Sequence, residues 1–287
     1  MKYPYYPGCT LYSKARNLDQ CARKAALRAG FELEEMPSWN CCGAIYNTNT
    51  DDLAAQVGPV RNLAKASQLG ERLVTLCAAC YNVLKRASEH LQATGFEADR
   101  QRLLDFVDEP LIRDVEVVHY LQVLKELGWE GLRAKVAKPL NGLKIASYYG
   151  CLMVRPKEVL KFDDPENPMV MDELVAALGG TPVRFDFKSE CCGGYLVVNH
   201  QAVADACSLR VVENARTWGA ELVVTTCPLC QYNLEMAQRR RSSGNQLVPV
   251  LYFTQVLGLA LGLAEAELGF DDNRLDPRPF LLTRGLL

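Results

Sequence analysis

"ERLVTLCAACYNVL" (residues 71–84) and "AELVVTTCPLCQYNL" (residues 220–234) decide the fold. In each, a short apolar run of strand character ends in C-x-x-C, and the chain then takes up a helical pattern. Working outward, the neighbours of one stretch recur around the other. Cys9 follows "KYPYYPG" and Cys151 follows "KIASYYG"; the doublet Cys41–Cys42 matches Cys191–Cys192; Cys77 and Cys80 match Cys227 and Cys230. In both copies 34 residues separate the doublet from the C-x-x-C, while 31 or 39 separate the first cysteine from the doublet. Ten of the 12 cysteines thus fall into two sets of five, and self-similarity of this kind marks a repeated structural unit.

The repeat extends past the cysteines. "VEVVHYLQVL" (115–124) and "VPVLYFTQVL" (248–257) set Gln122 opposite Gln255 and His119 opposite Tyr252. Strands are expected in "KYPYY", "FELEEMP", "RLVTL" and in "LKIASYY", "PVRFDF", "ELVVTT". Helices are expected between them, over "KARNLDQCARKAALRAG", "LAAQVGPVRNLAKASQLG", "MDELVAALGG" and "QAVADACSLRVVENARTWG". Alternation of this sort predicts an α/β fold with mainly parallel sheets, two homologous Rossmann-like domains in pseudo-twofold relation. Pro139, Asn141 and Gly142 punctuate the join, so the domains are expected to be 1–140 and 141–287. Every cysteine of both sets falls just past a strand end, where α/β folds build their sites.

Composition bounds the function. With 287 residues, 49% hydrophobic and 23% charged, the chain can bury a sizeable core. A net charge of -2 offers no general attraction to nucleic acid or an anionic membrane, and the one basic run, Arg239 to Arg241, reads as a solvated helix end. The N-terminal residues lack the apolar core of a signal peptide. The apolar run near residues 248–268 is broken by Gln255, glycines and glutamates, short of the roughly 20 residues of a membrane span. It reads as a buried or partner-facing helix, and the expected location is the cytoplasm. There thiols stay reduced, so this many cysteines point to metal or redox chemistry.

Adjacent cysteines rarely bond to each other, because a disulfide needs a geometry they reach only with strain. Zinc takes four ligands, commonly two Cys pairs, and leaves a fifth thiolate unused in each copy. Thiolate also suits iron–sulfur clusters, of which a conventional cubane uses four ligands. A fifth recurring thiolate therefore suggests a cluster with a further metal position or a bridging ligand. Neighbouring thiols can reach two neighbouring irons, and Gly43, Gly193 and Gly194 can take positive φ and let the backbone approach. Cys21 and Cys207 lie within expected helices and have no counterpart in the other copy, so they read as structural.

The ten-cysteine pattern, with "YPGCTL", "WNCCGA", "CAACYN", "SECCGG" and "CPLCQYNL" in this order, resembles the family of the heterodisulfide reductase catalytic B subunit, built of two CCG cysteine-rich domains. The resemblance implies a noncubane [4Fe-4S] cluster on each set, two in all: one on Cys9, Cys41, Cys42, Cys77 and Cys80, the other on Cys151, Cys191, Cys192, Cys227 and Cys230. It implies a catalytic component that reduces a small disulfide to two thiols between the two clusters. Electrons would come from a heterodisulfide reductase C-like ferredoxin-type subunit, supplied in turn by an A-like flavin subunit. The chain itself has neither a ferredoxin-type cysteine run nor a G-x-G-x-x-G fingerprint. If both clusters serve one disulfide, the two cysteine-bearing edges must face each other.

Two other readings stand beside this one. The first is a CCG-type electron-transfer subunit of another oxidoreductase, such as a hydroxy-acid oxidation or aromatic acyl-CoA reductase system; the second is a zinc-binding scaffold. Proton supply is poorly marked. His200 reads as a surface or helix-capping residue and His119 as packing, while Lys14, Arg16, Arg155 and Lys188 are candidates to bind an anionic substrate. The apolar C-terminal helix and the tail "RPFLLTRGLL" read either as docking elements or as an arm packed on its own domain.

Overall fold

The structure, a computed structural model, describes residues 1–44, 53–241 and 247–287. Two four-stranded parallel sheets carry it. Strands β1 (Lys2–Tyr6), β2 (Glu32–Glu35), β3 (Arg72–Thr75) and β4 (Glu116–His119) lie in the order β2-β1-β3-β4. Strands β5 (Lys144–Tyr148), β6 (Thr181–Pro182), β7 (Leu222–Thr225) and β8 (Val250–Tyr252) lie in the order β6-β5-β7-β8. The second sheet repeats the first strand for strand, as the duplicated sequence requires. The α/β reading holds.

Parallel strands are covered by their crossover helices on both faces, so their middles are apolar throughout. Leu73 and Val74 in β3, and Leu222, Val223 and Val224 in β7, are buried accordingly. The shared Gln-Val-Leu motif has a structural meaning. β4 runs straight into the helix Tyr120–Leu127 and β8 into Phe253–Ala260. At each junction a glutamine side chain accepts the last strand N–H: His119 N donates to Gln122 Oε1 (2.8 Å), and Tyr252 N donates to Gln255 Oε1 (3.0 Å). Gln122 and Gln255 thus satisfy a donor that a helix start leaves without a partner.

One strand is shorter than its alternation predicts. Of "PVRFDF" only Pro182 is in strand, within the two-residue β6. The chain leaves the sheet because Tyr149 N and Gly150 N both donate to the Lys188 carbonyl (2.8 and 3.1 Å), which draws this segment over the end of β5. A site-forming contact overrides local strand preference here.

The halves embrace reciprocally. The helix after the last strand of the first copy, Tyr120–Leu127, packs on Val170–Ala177 of the second, and the helix after the last strand of the second, Phe253–Ala260, packs on Arg16–Ala29 of the first. Such an exchange is what a pseudo-twofold axis produces. Every residue of Phe253–Ala260 is buried, so the apolar C-terminal run is used inside the molecule and is not free to dock. Cys21 lies at this crossing: its thiol donates to Thr254 O (3.0 Å), and burial pushes it up to about 12. That is a structural cysteine, as expected. The tail helix Arg278–Thr283 is pinned by the buried Leu281 and by Arg284 on Glu221 (3.0 Å), which makes it an arm on its own domain. The basic run is more than a solvated end, because Arg240 and Arg241 both pair with Asp205 of the neighbouring helix Gln201–Thr217.

Candidate metal centre

In each sheet the strand order reverses beside the central pair, β1 with β3 and β5 with β7, and the crevice outside their carboxyl ends is where open α/β sheets bind ligands. The cysteines stand there. Cys9 follows β1, Cys41 and Cys42 follow β2, and Cys77 follows β3 as the residue before the helix Ala78–Gln92. In the second half Cys151, Cys191, Cys192 and Cys227 take the same places around β5, β6 and β7, and Cys227 precedes the helix Pro228–Arg241. A helix N-terminus carries free N–H groups and partial positive charge, which favours a thiolate. The Cys227 thiol is lowered by its Cys230 neighbour and by the N–H groups of Leu229 and Cys230.

The thiols of each set form a string, in the same order in both halves. Cys9 Sγ lies 3.6 Å from Cys41 Sγ, Cys41 touches Cys42, Cys42 Sγ lies 3.6 Å from Cys80 Sγ, and Cys80 touches Cys77. The second string runs Cys151, Cys191, Cys192, Cys230, Cys227. The last three thiols of each string are buried, whereas Cys9, Cys41 and Cys191 are exposed. The structure thus brings together all ten cysteines singled out in the sequence, in their two sets of five. Cys21 and Cys207 stay outside both strings.

Packed thiols cannot all ionise, since each thiolate raises its neighbours. Accordingly the two thiols of each doublet shift in opposite directions. Hydrogen bonds from Cys41 and then Cys80 hold Cys42 down at about 4, and those from Cys151 and Cys192 hold Cys191 down at about 2. Their neighbours go the other way: Cys41 and Cys151 are raised, each first by the thiol it bonds, Cys42 and Cys191 respectively. A cationic group large enough to meet five sulfurs would relieve that mutual repulsion. No three His, Cys, Asp or Glu side chains among the described residues converge on a position for one ion. The donor set therefore suits an extended cluster better than a lone zinc, which needs its four ligands about one point.

The scaffold that aims the strings is duplicated too. Tyr6 donates its phenol O–H to Asn40 O (2.8 Å), and Tyr148 donates to Glu190 O (2.7 Å), in each case the carbonyl just before the doublet. Both tyrosines stand three residues before the first cysteine of their set, a recurring signal that attention to the cysteines alone passes over. Asn62 grips the same Asn40 peptide from both sides, accepting from its N–H (2.9 Å) and donating to its carbonyl (2.8 Å). Gly43, Gly193 and Gly194 take positive φ (72°, 92° and 51°), as expected after the doublets.

The candidate anion binders divide. Lys188 is buried and pairs with the equally buried Asp172 (2.9 Å), while its carbonyl holds Tyr149 and Gly150 before Cys151. Arg155 donates to Ser189 O (2.7 Å) and pairs with Glu166, and Arg16 donates to Tyr12 O. These three support the architecture. Lys14, by contrast, lines an open cavity. Lys188→Ala leaves Asp172 buried without its cation and is expected to cost about 3–5 kcal/mol, measured by denaturant unfolding. Lys188→Met, which keeps the bulk and loses the charge, is expected to cost as much, because the strain lies in the orphaned carboxylate. His119 is fully buried between a Leu121 N–H received at Nδ1 (3.2 Å) and Leu76 O at Nε2 (2.8 Å), and burial lowers it to about 4. It is a packing residue, as expected; His200 is exposed just before the helix Gln201–Thr217.

Between the halves lies a cavity of about 230 Å³, lined by all five cysteines of the first set, by Cys227 of the second, and by Leu152, Tyr195 and Leu229. Tyr195 comes directly after "CCGG", and the sequence reading does not pick it out, because the first copy has Ala44 after its single glycine. Burial and the thiols of Cys227, Cys77, Cys42 and Cys80 raise its phenol, which places it between the two strings. A second cavity of about 380 Å³ shares Thr10, Tyr195, Pro228 and Leu229 with the first, and adds Lys14, Tyr232, Glu235, Tyr252, Asp272 and Arg274.

Two parallel sheets, each carrying five cysteines at its carboxyl edge, define a duplicated cysteine-rich protein. Residues 3–85 and 145–235 match the family described as CCG, cysteine-rich domain, and the chain belongs to that family. It is 34% identical over 278 residues to the 8-methylmenaquinol:fumarate reductase membrane anchor subunit of Wolinella succinogenes, covering 96% of this chain and 97% of that one. It is 28% identical over 290 residues to the B subunit of the ferredoxin/F(420)H(2)-dependent CoB-CoM heterodisulfide reductase of Methanosarcina acetivorans (98% and 96% covered). A protein of Archaeoglobus profundus described as like the heterodisulfide reductase B subunit is 30% identical over 273 residues (91% of each chain). The fold matches the crystal structure of a hypothetical protein from Helicobacter pylori with a TM-score of 0.73 at 16% identity; the match covers 94% of this chain and 51% of that one, about half its length.

Proposed function

We propose that the chain is the iron–sulfur subunit of a heterodisulfide reductase-type complex and reduces a disulfide to two thiols at the cavity between its halves. The observation that carries this reading is that cavity, whose largely apolar wall includes the five cysteines of the first set and Cys227 of the second. Cys9, Cys41, Cys42, Cys77 and Cys80 would hold one noncubane [4Fe-4S] cluster, and Cys151, Cys191, Cys192, Cys227 and Cys230 the other. Bound there, the clusters would supply the two electrons of the reaction R–S–S–R′ + 2 e⁻ + 2 H⁺ → RSH + R′SH. The protein's own part is to hold the disulfide between Leu152 and Leu229, exclude water, and set Tyr195 beside the sulfurs. A boundary between residues 140 and 141 gives each half one sheet and one set. A ferredoxin-type subunit, itself served by a flavin subunit, would deliver the electrons in a reducing compartment such as the cytoplasm.

A second reading rests on the 34% identity to a subunit of a fumarate reductase: the chain would pass electrons within a complex that acts on another substrate. No helix among the described residues is long and apolar enough to cross a membrane, so contact of these residues with a bilayer would have to be peripheral or through a partner. Reduced viologen separates the readings. Anaerobically reconstituted chain is expected to oxidise the dye when cystamine, 2-hydroxyethyl disulfide or glutathione disulfide is added. Inactivity toward all three, with dye oxidation appearing only alongside co-purified subunits and their own acceptor, would establish the electron-transfer reading instead.

A further inference from the structure

Disulfide cleavage consumes two protons, and among the described residues the cysteine-lined cavity has no carboxyl, lysine or histidine in its wall to provide them. The adjoining cavity does. Glu235, on the helix Pro228–Arg241, is only 1% exposed yet contributes to the wall of that cavity. Its Oε2 accepts from Arg274 N (2.9 Å) and its Oε1 from Asn273 Nδ2 (3.4 Å). Asn273 is fixed in turn by Gln255 Nε2 (2.8 Å) and by Asn17 Nδ2 (3.2 Å) from the first half. A buried carboxyl is thus clamped by a polar network that spans both halves and lines a cavity sharing Thr10, Tyr195, Pro228 and Leu229 with the proposed reaction site. Tyr252 lines the same cavity, and its phenol is within electrostatic reach of Glu235 and of Cys227, Cys77 and Cys230.

The repeat shows that this arrangement is not a by-product of the fold. The position five residues after the C-x-x-C is Lys85 in the first half, a partly exposed residue paired with Glu89 (2.9 Å). The counterpart of Tyr252, in the same sheet register, is the neutral, fully bonded His119. Only the second half has a carboxyl and a hydroxyl in these two places.

We propose that Glu235 is the proton-relay residue of disulfide cleavage, passing its proton through the Tyr252 hydroxyl to the sulfur released in the cysteine-lined cavity. This rests on the disulfide reading above. Each sulfur keeps one electron of the broken S–S bond, gains one electron from the donor and takes one proton from Glu235 to become a thiol, and the carboxylate is reprotonated from solvent through the 380 Å³ cavity before the second transfer. Burial pushes the Glu235 carboxyl up to about 7, against the donors from Arg274 and Asn273 that pull it down. It therefore holds a transferable proton near neutrality. The charged and titratable groups that line its cavity with it are Tyr232 on its own helix, Tyr195, Tyr252 on β8, Asp272 and Arg274 on the C-terminal segment, and Lys14 from the first half.

The test uses the cluster-loaded full chain, reduced viologen and the three disulfides named above. Wild-type turnover is expected to fall as pH rises through about 7. Glu235→Gln is expected to lose about a hundredfold at pH 6 and to show no break near pH 7. Tyr252→Phe is expected to lose a similar factor, whereas Lys85→Gln, at the repeat-related position, keeps both rate and profile. Infrared difference spectra of the oxidised protein give a readout independent of turnover: a protonated-carboxyl band that titrates near pH 7 in the wild type and is absent from folded Glu235→Gln. A wild-type profile retained in Glu235→Gln, or the absence of such a band, overturns the relay alone. No turnover of any disulfide by the wild type overturns the disulfide reading, and the relay with it.

Discussion

Cys80→Ala, reconstituted anaerobically, is expected to hold about four irons against about eight expected of the wild type, the complement of the two four-iron clusters proposed. Cys80 links Cys77 to the rest of its string, touching Cys42 on one side and Cys77 on the other, and it is buried. Burial keeps bulk water from taking its place as a ligand. Cys230 occupies the same position between Cys192 and Cys227, so Cys230→Ala is expected to lose the other half of the iron, and the double variant nearly all. Cys21→Ala and Cys207→Ala, outside both strings, are expected to keep the full complement. Iron and zinc analysis of the purified variants checks all five. Zinc in place of iron, or iron unchanged in Cys80→Ala, would eliminate the ligand assignment.

Gly8→Ala and Gly150→Ala are expected to mimic the loss of those cysteines without touching a sulfur. Each glycine precedes the first cysteine of its set with φ of +75° or +66°, a conformation costing other residues about 1–2 kcal/mol. A Cβ at Gly8 would stand 2.8 Å from Cys80 Sγ, and one at Gly150 would stand 3.0 Å from Cys230 Sγ. Displacing a buried thiol typically costs another 1–3 kcal/mol or so, about what overpacking a core costs. The sum of these two costs is about 2–5 kcal/mol, together with loss of one cluster's iron while the far-ultraviolet signature of the sheets persists. A Gly8→Ala chain with full iron and unchanged unfolding midpoint would show that the glycine only shapes a turn.

These outcomes also mark how far the sequence can be read. The duplication, the parallel sheets and both five-cysteine sets are legible, because strand-end cysteines at repeated spacing leave a periodic trace in one dimension. Gln122 and Gln255 are legible as a match, though their work at the strand-to-helix junctions needs the folded chain. The tyrosines three residues ahead of Cys9 and Cys151 are visible as letters, but their bond to the peptide before the doublet spans 34 or 42 residues. Lys188 departs from expectation for a related reason. A lysine three residues before a doublet looks available to an anion, and only the fold shows Asp172 buried against it.

Local chemistry is set by residue type and spacing: which atoms are soft donors, which segments are strands, and that everything occurs twice. The tertiary structure decides how the copies meet. Reciprocal packing of Tyr120–Leu127 on Val170–Ala177 and of Phe253–Ala260 on Arg16–Ala29 joins the halves, so that Cys227 of the second set shares a cavity with the five cysteines of the first and the buried Glu235 lines the adjoining one. No periodicity within either copy encodes that meeting. It follows from which apolar faces remain uncovered once each sheet has gathered its own helices, and that depends on surfaces built from residues far apart along the chain.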